Sequence, residues 1–278
     1  MQTPPDLFDH KLLTQRRARA ASFGVEGEFL HREIADQVSE RLEEVNKTFT
    51  DVAIVGPRAS LWKEFLGGTA VKDQETLELE AGSLDLAIHG LALHWANDPV
   101  GQLVQMRRAL KPDGLMIAAM FGGQTLNELR TSLAEAETEI EGGLSPRIAP
   151  MGEIRDLGGL IQRAGLALPV ADSVNLTVTY ETPLHLMRDL RAMGETNVMH
   201  ARRKTPMRRD TLMRAMDIYV EHFAEADGRI PATFEIVFLT GWAPSETQQK
   251  PLRPGSAKAR LADALQVPEL KAGDKAKG

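Results

Sequence analysis

Apolar residues recur at helical spacing over 31–46, where Ile34, Val38, Leu42 and Val45 share one face, and this predicts a first long helix. The pattern then switches. Val52-Ala53-Ile54-Val55, Leu84-Asp85-Leu86-Ala87-Ile88 and Leu115-Met116-Ile117-Ala118-Ala119-Met120 are short, nearly continuous apolar runs. Runs of that length suit strands covered on both faces, as in a parallel sheet. The third is entered through Lys111-Pro112-Asp113-Gly114, which reads as a turn. Between the second and third, Val100, Leu103, Val104 and Leu110 have helical spacing. After the third, Thr125 and Glu128 stand as a capping box before a helix carrying Leu126, Leu129 and Leu133. Ile154, Leu157, Leu160 and Ile161 predict another helix, ending near Gly165. This alternation of strand and helix favours a doubly wound α/β sheet.

The C-terminal part is patterned differently. Val174–Tyr180 alternates as a half-exposed strand does, and Ala232–Trp242 reads as a final strand. Between them Thr182-Pro183 and Thr205-Pro206 each announce a helix, with proline at its first position. The second is expected to bury Leu212, Met213, Met216, Tyr219, Val220 and Phe223. The chain therefore divides into an N-terminal helical segment (1–48), a sheet domain (49–243) with a helical insertion at about 182–228, and a Pro-, Lys-, Ala- and Gly-rich tail (244–278) expected to be disordered.

Composition narrows the functional classes. With 42% hydrophobic and 26% charged residues, the chain has the make-up of a globular protein with a real core. A net charge of −6 gives no reason to expect nucleic acid as partner. The lack of cysteine excludes disulfides, thiolate metal sites and cysteine nucleophiles. No apolar run reaches the length of a membrane span. Arg16, Arg17 and Arg19 among alanines faintly resemble a transit peptide, but Asp6 and Asp9 argue for an ordinary basic helix start. The expected location is the bacterial cytoplasm, or the mitochondrial matrix if the source is eukaryotic.

Two sets of blocks carry a family resemblance. Leu84–Ile88, then Leu93-His94-Trp95-Ala96-Asn97-Asp98, then Leu110–Gly114 resemble the middle of a class I S-adenosylmethionine methyltransferase. Met120-Phe121-Gly122-Gly123-Gln124-Thr125-Leu126, Glu141-Gly142-Gly143-Leu144-Ser145-Pro146-Arg147 and Met193-Gly194-Glu195-Thr196-Asn197 are similar to the complex I assembly factor five family and its bacterial relatives. Arg209-Asp210-Thr211 and Pro231-Ala232-Thr233-Phe234 extend the likeness, which covers roughly residues 5–256. The resemblance implies a Rossmann-like class I methyltransferase fold, with a mostly parallel sheet and a helical insertion near the last strands. It also implies a role in early assembly of respiratory complex I, with the quinone-proximal iron–sulfur subunit as partner. The activity it carries is arginine hydroxylation. More distantly the chain resembles the carboxyl methyltransferase of biotin synthesis.

The cofactor implied is S-adenosylmethionine, and here the sequence departs from the pattern. A cofactor loop needs glycines so that backbone can turn tightly and approach the ligand. The acid's place is held by Ile54 and the three glycine places by Gly56, Arg58 and Ser60, while Pro57 removes a donor from the turn. Only Gly67-Gly68-Thr69-Ala70-Val71-Lys72-Asp73 leads toward Leu84. The economical reading is that the ribose-binding strand and its helix are deleted, leaving Val71–Asp73 as the remnant of the later strand. Asp73 then matches the acid that contacts adenine, and Gly56 and Asp73 are the cofactor-binding residues left.

His89 and His94, near the end of a central strand, are the candidate acid–base groups. The one His-x-Glu, His31-Arg32-Glu33, falls in the predicted first helix, and the seven histidines are otherwise scattered, so nothing forms a convincing iron site. Gly122 and Gly123 could aim backbone N–H groups at an anion, or simply make a tight turn. Trp95, Arg147, Glu195 and Asn197 are the further candidates for contact with a substrate or partner. Arg202, Arg203, Lys204, Arg208 and Arg209 form a dense basic cluster, and Met207, Met213 and Met216 are expected in the core. The reading these residues favour is an assembly factor with lost or weakened S-adenosylmethionine binding that acts through protein partners. The alternatives are an active methyltransferase on a protein side chain or small carboxylate, and a protein arginine hydroxylase.

Overall fold

The computed structural model describes residues 6–248, and most of the tail expected at 244–278 lies outside the described residues. Helices α1 (His10–Ala21) and α2 (Phe29–Glu43) lead into β1 (Val52–Val55), α3 (Ala59–Leu66), β2 (Thr69–Val71) and β3 (Leu84–Gly90). Then follow α4 (Pro99–Ala109), β4 (Leu110–Phe121), α5 (Asn127–Glu141), α6 (Ile154–Arg163) and β5 (Ala167–Tyr180). Helices α7 (Pro183–Met193) and α8 (Arg209–Phe223) precede β6 (Ile230–Trp242). The six strands form one sheet in the order β2-β1-β3-β4-β6-β5. The first four are parallel, and β6 runs antiparallel to both β4 and β5. This is the mostly parallel, Rossmann-like arrangement the resemblance implies.

The period of two along each strand explains the layering. Leu115, Ile117, Ala119 and Phe121 of β4 enter one apolar cluster, with Phe234, Ile236 and Phe238 of β6 and Ile34 and Val38 of α2. Met116, Ala118 and Met120 enter the cluster on the other face, with Val237 and Leu239, Leu103 and Met106 of α4, and Leu157 and Ile161 of α6. Both faces of the central strands are therefore covered, and each large buried side chain contributes about 1.5–3 kcal/mol of transfer free energy.

Three local expectations are corrected. Thr125 and Glu128 do not cap α5: its N-cap is Leu126, in the left-handed region at φ 56°, with no side-chain cap. Thr125 Oγ1 instead donates to the Glu235 carbonyl, and the Glu128 carboxylate accepts from the Thr233 N–H at 3.2 Å and from its hydroxyl. Both residues are spent on β6, because α5 enters beside that strand. The second insertion helix begins at Arg209, not at Thr205-Pro206, and its buried face is Thr211, Ala215, Ile218 and Tyr219. Met213 and Val220 are exposed, since the face turned to α5 lies one position away from the apolar stripe read from the sequence.

The segment leading to Asp73 pairs directly with β1, Ala53 opposite Thr69 and Val55 opposite Val71. No strand stands between them. β2 is the edge strand of the sheet, and its end reaches the crevice at the C-terminal ends of the parallel strands, where ligands of such sheets bind.

Candidate functional site

The parallel strands β2, β1, β3 and β4 all end on one side, and the chain leaving each end places the candidate residues there. Gly56 follows β1. A Cβ there would lie 2.7 Å from the Gly90 carbonyl oxygen at the end of β3, so the glycine permits contact between two backbone segments. A Cβ on Gly90 would in turn lie 2.9 Å from the Trp62 indole. Trp62 is buried, and its Nε1 donates to His31 Nδ1 at 3.0 Å. Burial drives the His31 pKa down to about 3, so the imidazole is a neutral acceptor. The turn after β1 is thus packed by the protein's own side chains.

Arg58, at the second glycine place, is largely buried. Its guanidinium donates to Glu28 Oε1 at 3.3 Å and to the Ala192 carbonyl at 3.1 Å, tying the end of α7 to the start of α2. Ser60 lies on the wall of a small pocket of about 210 Å³, shared with Pro57, Arg58, Met193 and Arg17.

Asp73 borders a pocket, but its carboxylate is already paired. Arg17 of α1 reaches it, Nη1 to Oδ2 at 2.6 Å, and the two side chains are 14% and 8% exposed. Gln102 Nε2 lies 3.3 Å from the other carboxylate oxygen, and Gln102 Oε1 lies 2.8 Å from His89 Nε2. Burial acts to raise the pKa of Asp73, but the adjoining His89 and Arg17 outweigh it and hold the carboxyl below its usual range. His89 is fully buried, and that burial pushes its pKa down. Arg17 also walls a second pocket of about 450 Å³ with Asp73, Glu75, His10 and Trp95. One guanidinium therefore borders both spaces at the crevice.

His94 and Trp95 follow β3 and converge on Glu195 of the insertion. His94 Nε2 lies 3.1 Å and Trp95 Nε1 2.7 Å from the same oxygen, Glu195 Oε2. Burial works to raise the Glu195 pKa, but His94, Arg17 and the Trp95 hydrogen bond together hold it low. Phe8 packs edge-on against Trp95 with ring centroids 5.1 Å apart, and its backbone exchanges hydrogen bonds with the Asn97 side chain. An N-terminal strap thereby covers the crevice.

Gly122 and Gly123 follow β4, and their N-terminal nest is filled from within. Gln124 N donates to Glu235 Oε2 at 2.8 Å. A Cβ at Gly122 would meet the Glu235 carboxyl at 2.6 Å, and one at Gly123 would meet Glu153 Oε1 at 2.4 Å.

Trp95, Arg147, Glu195 and Asn197, far apart in sequence, line one cavity of about 740 Å³ between α5 and the insertion. Arg147 is held there by Glu137 and Asn197 by the Pro146 carbonyl at 2.7 Å. Neither His89 nor His94 lines it. Within the basic cluster, Arg202 pairs with Asp9, Arg203 with Glu141 and Arg208 with Asp210. Among the described residues no group of acidic or histidine side chains has the arrangement of a metal site. None of their helices is long and apolar enough to cross a membrane.

Sequence reasoning named Asp73, Gly122 and Gly123 but missed the side chains that meet them. Arg17 was read only as part of a basic helix start, and Glu235 and Glu153 gave no signal because their contacts are non-local.

Comparison with known proteins shows the family. A family described as a methyltransferase domain matches residues 34–118. The chain is similar to the mitochondrial arginine-hydroxylase NDUFAF5 of Danio rerio, 35% identical over 95% of this chain and 91% of that protein. The Homo sapiens protein of the same name is 39% identical over 82% of this chain and 66% of its own length. The malonyl-[acyl-carrier protein] O-methyltransferase of Laribacter hongkongensis is 36% identical over 66% of this chain and 59% of that protein. Among solved structures, the YcgJ protein of Bacillus subtilis aligns with a TM-score of 0.48 at 12% identity, over 76% of this chain and 98% of that one.

Proposed function

Because the chain belongs to the family of the mitochondrial arginine-hydroxylase NDUFAF5, we propose that it serves complex I assembly through a protein partner and has lost ordinary use of S-adenosylmethionine. The observation that carries this reading is the Arg17–Asp73 pair at 2.6 Å. Asp73 is the acid left to meet the cofactor, and its carboxylate is already neutralised and nearly buried. Arg58 and Ser60 stand where glycines would let backbone approach, so the residues present do not fit the cofactor. Losing two or three polar contacts, each worth about 0.5–3 kcal/mol, weakens binding by several powers of ten. The partner is the quinone-proximal iron–sulfur subunit of complex I, met in the bacterial cytoplasm, or in the mitochondrial matrix in a eukaryote.

Calorimetric titration with S-adenosylmethionine and S-adenosylhomocysteine tests the cofactor half. No heat at millimolar ligand is expected, and micromolar binding would restore the methyltransferase reading. Co-purification with the iron–sulfur subunit tests the other half. A second reading, arginine hydroxylation, is favoured by the identity to proteins bearing that name. It requires that the co-expressed subunit gain one oxygen on an arginine, which mass spectrometry reads directly.

A further inference from the structure

The cavity between α5 and the insertion has a floor and a rim of different chemistry. Phe121, Leu129, Leu133, Leu190, Met207 and Phe234 make the floor. At about 740 Å³ it falls within the range of small-molecule pockets, roughly 300–1,000 Å³. The rim is cationic. Arg147, Arg202 and Arg203 are neutralised by Glu137, Asp9 and Glu141. Arg16 from α1, Arg191 at the end of α7 and Lys204 line the same cavity, are exposed, and have no ion pair among the described residues. The single acidic residue lining it, Glu195, is engaged by His94 and Trp95. Three uncompensated cations from three separate segments therefore surround an apolar space that no free carboxylate shares.

We propose that this cavity binds a single-chain amphiphile whose apolar body lies on the α5 face and whose anionic head, a carboxylate or phosphate, is met by Arg16, Arg191 and Lys204. The bland alternative is that the three side chains merely snorkel over apolar surface. That explains their stems, not their convergence from α1, α7 and the following loop. The inference does not depend on a protein partner or on the fate of S-adenosylmethionine.

The test is displacement of a fluorescent polyene fatty acid from the full chain, below micellar concentrations, by oleate, oleoyl lysophosphatidate and oleyl alcohol. Oleate or the lysophosphatidate is expected to displace the probe at micromolar concentration, with the alcohol at least about tenfold weaker. The stronger of the two anions identifies the head as carboxylate or phosphate. The triple variant Arg16→Glu/Arg191→Glu/Lys204→Glu changes exposed positions only, and its melting curve checks that the fold is kept. It is expected to bind the anions at least about tenfold more weakly, equivalent to about 1.4 kcal/mol, and the alcohol unchanged. No displacement by any amphiphile, displacement by an acidic peptide alone, or anion binding that the triple variant leaves intact would each overturn the proposal.

Discussion

Replacing Arg17 by leucine tests whether the crevice is closed from within. The guanidinium meets Asp73 at 2.6 Å with both side chains largely buried. Removing one partner of a buried pair leaves an unpaired charge, at a cost of about 3–5 kcal/mol. The residual exposure of Arg17 and the Gln102 contact at 3.3 Å soften that toward about 3 kcal/mol. In a chain of this size, that lowers the melting temperature by about 6–12 °C. Asp73→Leu is expected to cost about as much, since it strands the guanidinium. The double variant Arg17→Leu/Asp73→Leu strands neither charge, so a cycle of urea denaturation curves is expected to give a coupling of about 2–3 kcal/mol.

The pH dependence has a definite sign. The folded pKa of Asp73 lies below its unfolded value, about 3.9. Its ionised form therefore stabilises the fold at all pH above that, and the contribution is lost as pH falls through the folded pKa. In Arg17→Leu one of the groups that oppose burial is gone while His89 and Gln102 remain, so the carboxyl's pKa rises and the variant's deficit shrinks as the solution is acidified through and below pH ~4. Additive single variants, each costing under about 0.5 kcal/mol, would show an ordinary solvated ion pair and refute the reasoning.

Three further substitutions probe other parts of the fold. Gly56→Ala brings a methyl group to 2.7 Å from the Gly90 carbonyl oxygen, so a loss of about 1–3 kcal/mol is expected in urea unfolding; an unchanged midpoint would mean that this loop yields freely. Glu128 binds Thr233 rather than capping α5, so Glu128→Ala and Thr233→Val are expected to couple in a double-mutant cycle, whereas independent losses would return Glu128 to a capping role.

The alternation of apolar runs and helical stripes was enough to place β1 and β3 to within a residue or two, because strands covered on both faces have little freedom in composition. The insertion was harder. Its second helix starts three residues after Pro206, and its buried face contains Thr211 and Ala215, which a hydrophobic stripe does not mark. The candidate site divides the same way. Trp95, Arg147, Glu195 and Asn197 were legible as family blocks and converge on one cavity. The pairings were not, because Trp95–Glu195 and Arg17–Asp73 join residues 100 and 56 positions apart, and no local period records such contacts.

The pattern of these contacts is itself informative about function. In an open parallel sheet the crevice beyond the C-terminal strand ends is where a ligand is met. Here the chain leaving β2 carries Asp73, answered by Arg17. The chain leaving β3 carries His94 and Trp95, answered by Glu195. The nest after β4 is answered by Glu235. Asp73, the Trp95 indole, one nitrogen of His94 and the Gln124 N–H are each engaged by a side chain from elsewhere in the fold, two of the partners coming from α1 and the insertion, while Arg17 Nε and Nη2, His89 Nδ1 and His94 Nδ1 are buried without a partner. A buried polar group left unpaired costs about 1–3 kcal/mol, so the pairs that are made stabilise this arrangement, and a ligand that broke them would have to replace them. The large opening that remains lies to the side, between α5 and the insertion, walled by Trp95, Arg147, Glu195 and Asn197. That opening brings together an apolar floor and the cations Arg16, Arg191 and Lys204, unpaired among the described residues, and this is the chemistry on which the proposed amphiphile binding rests.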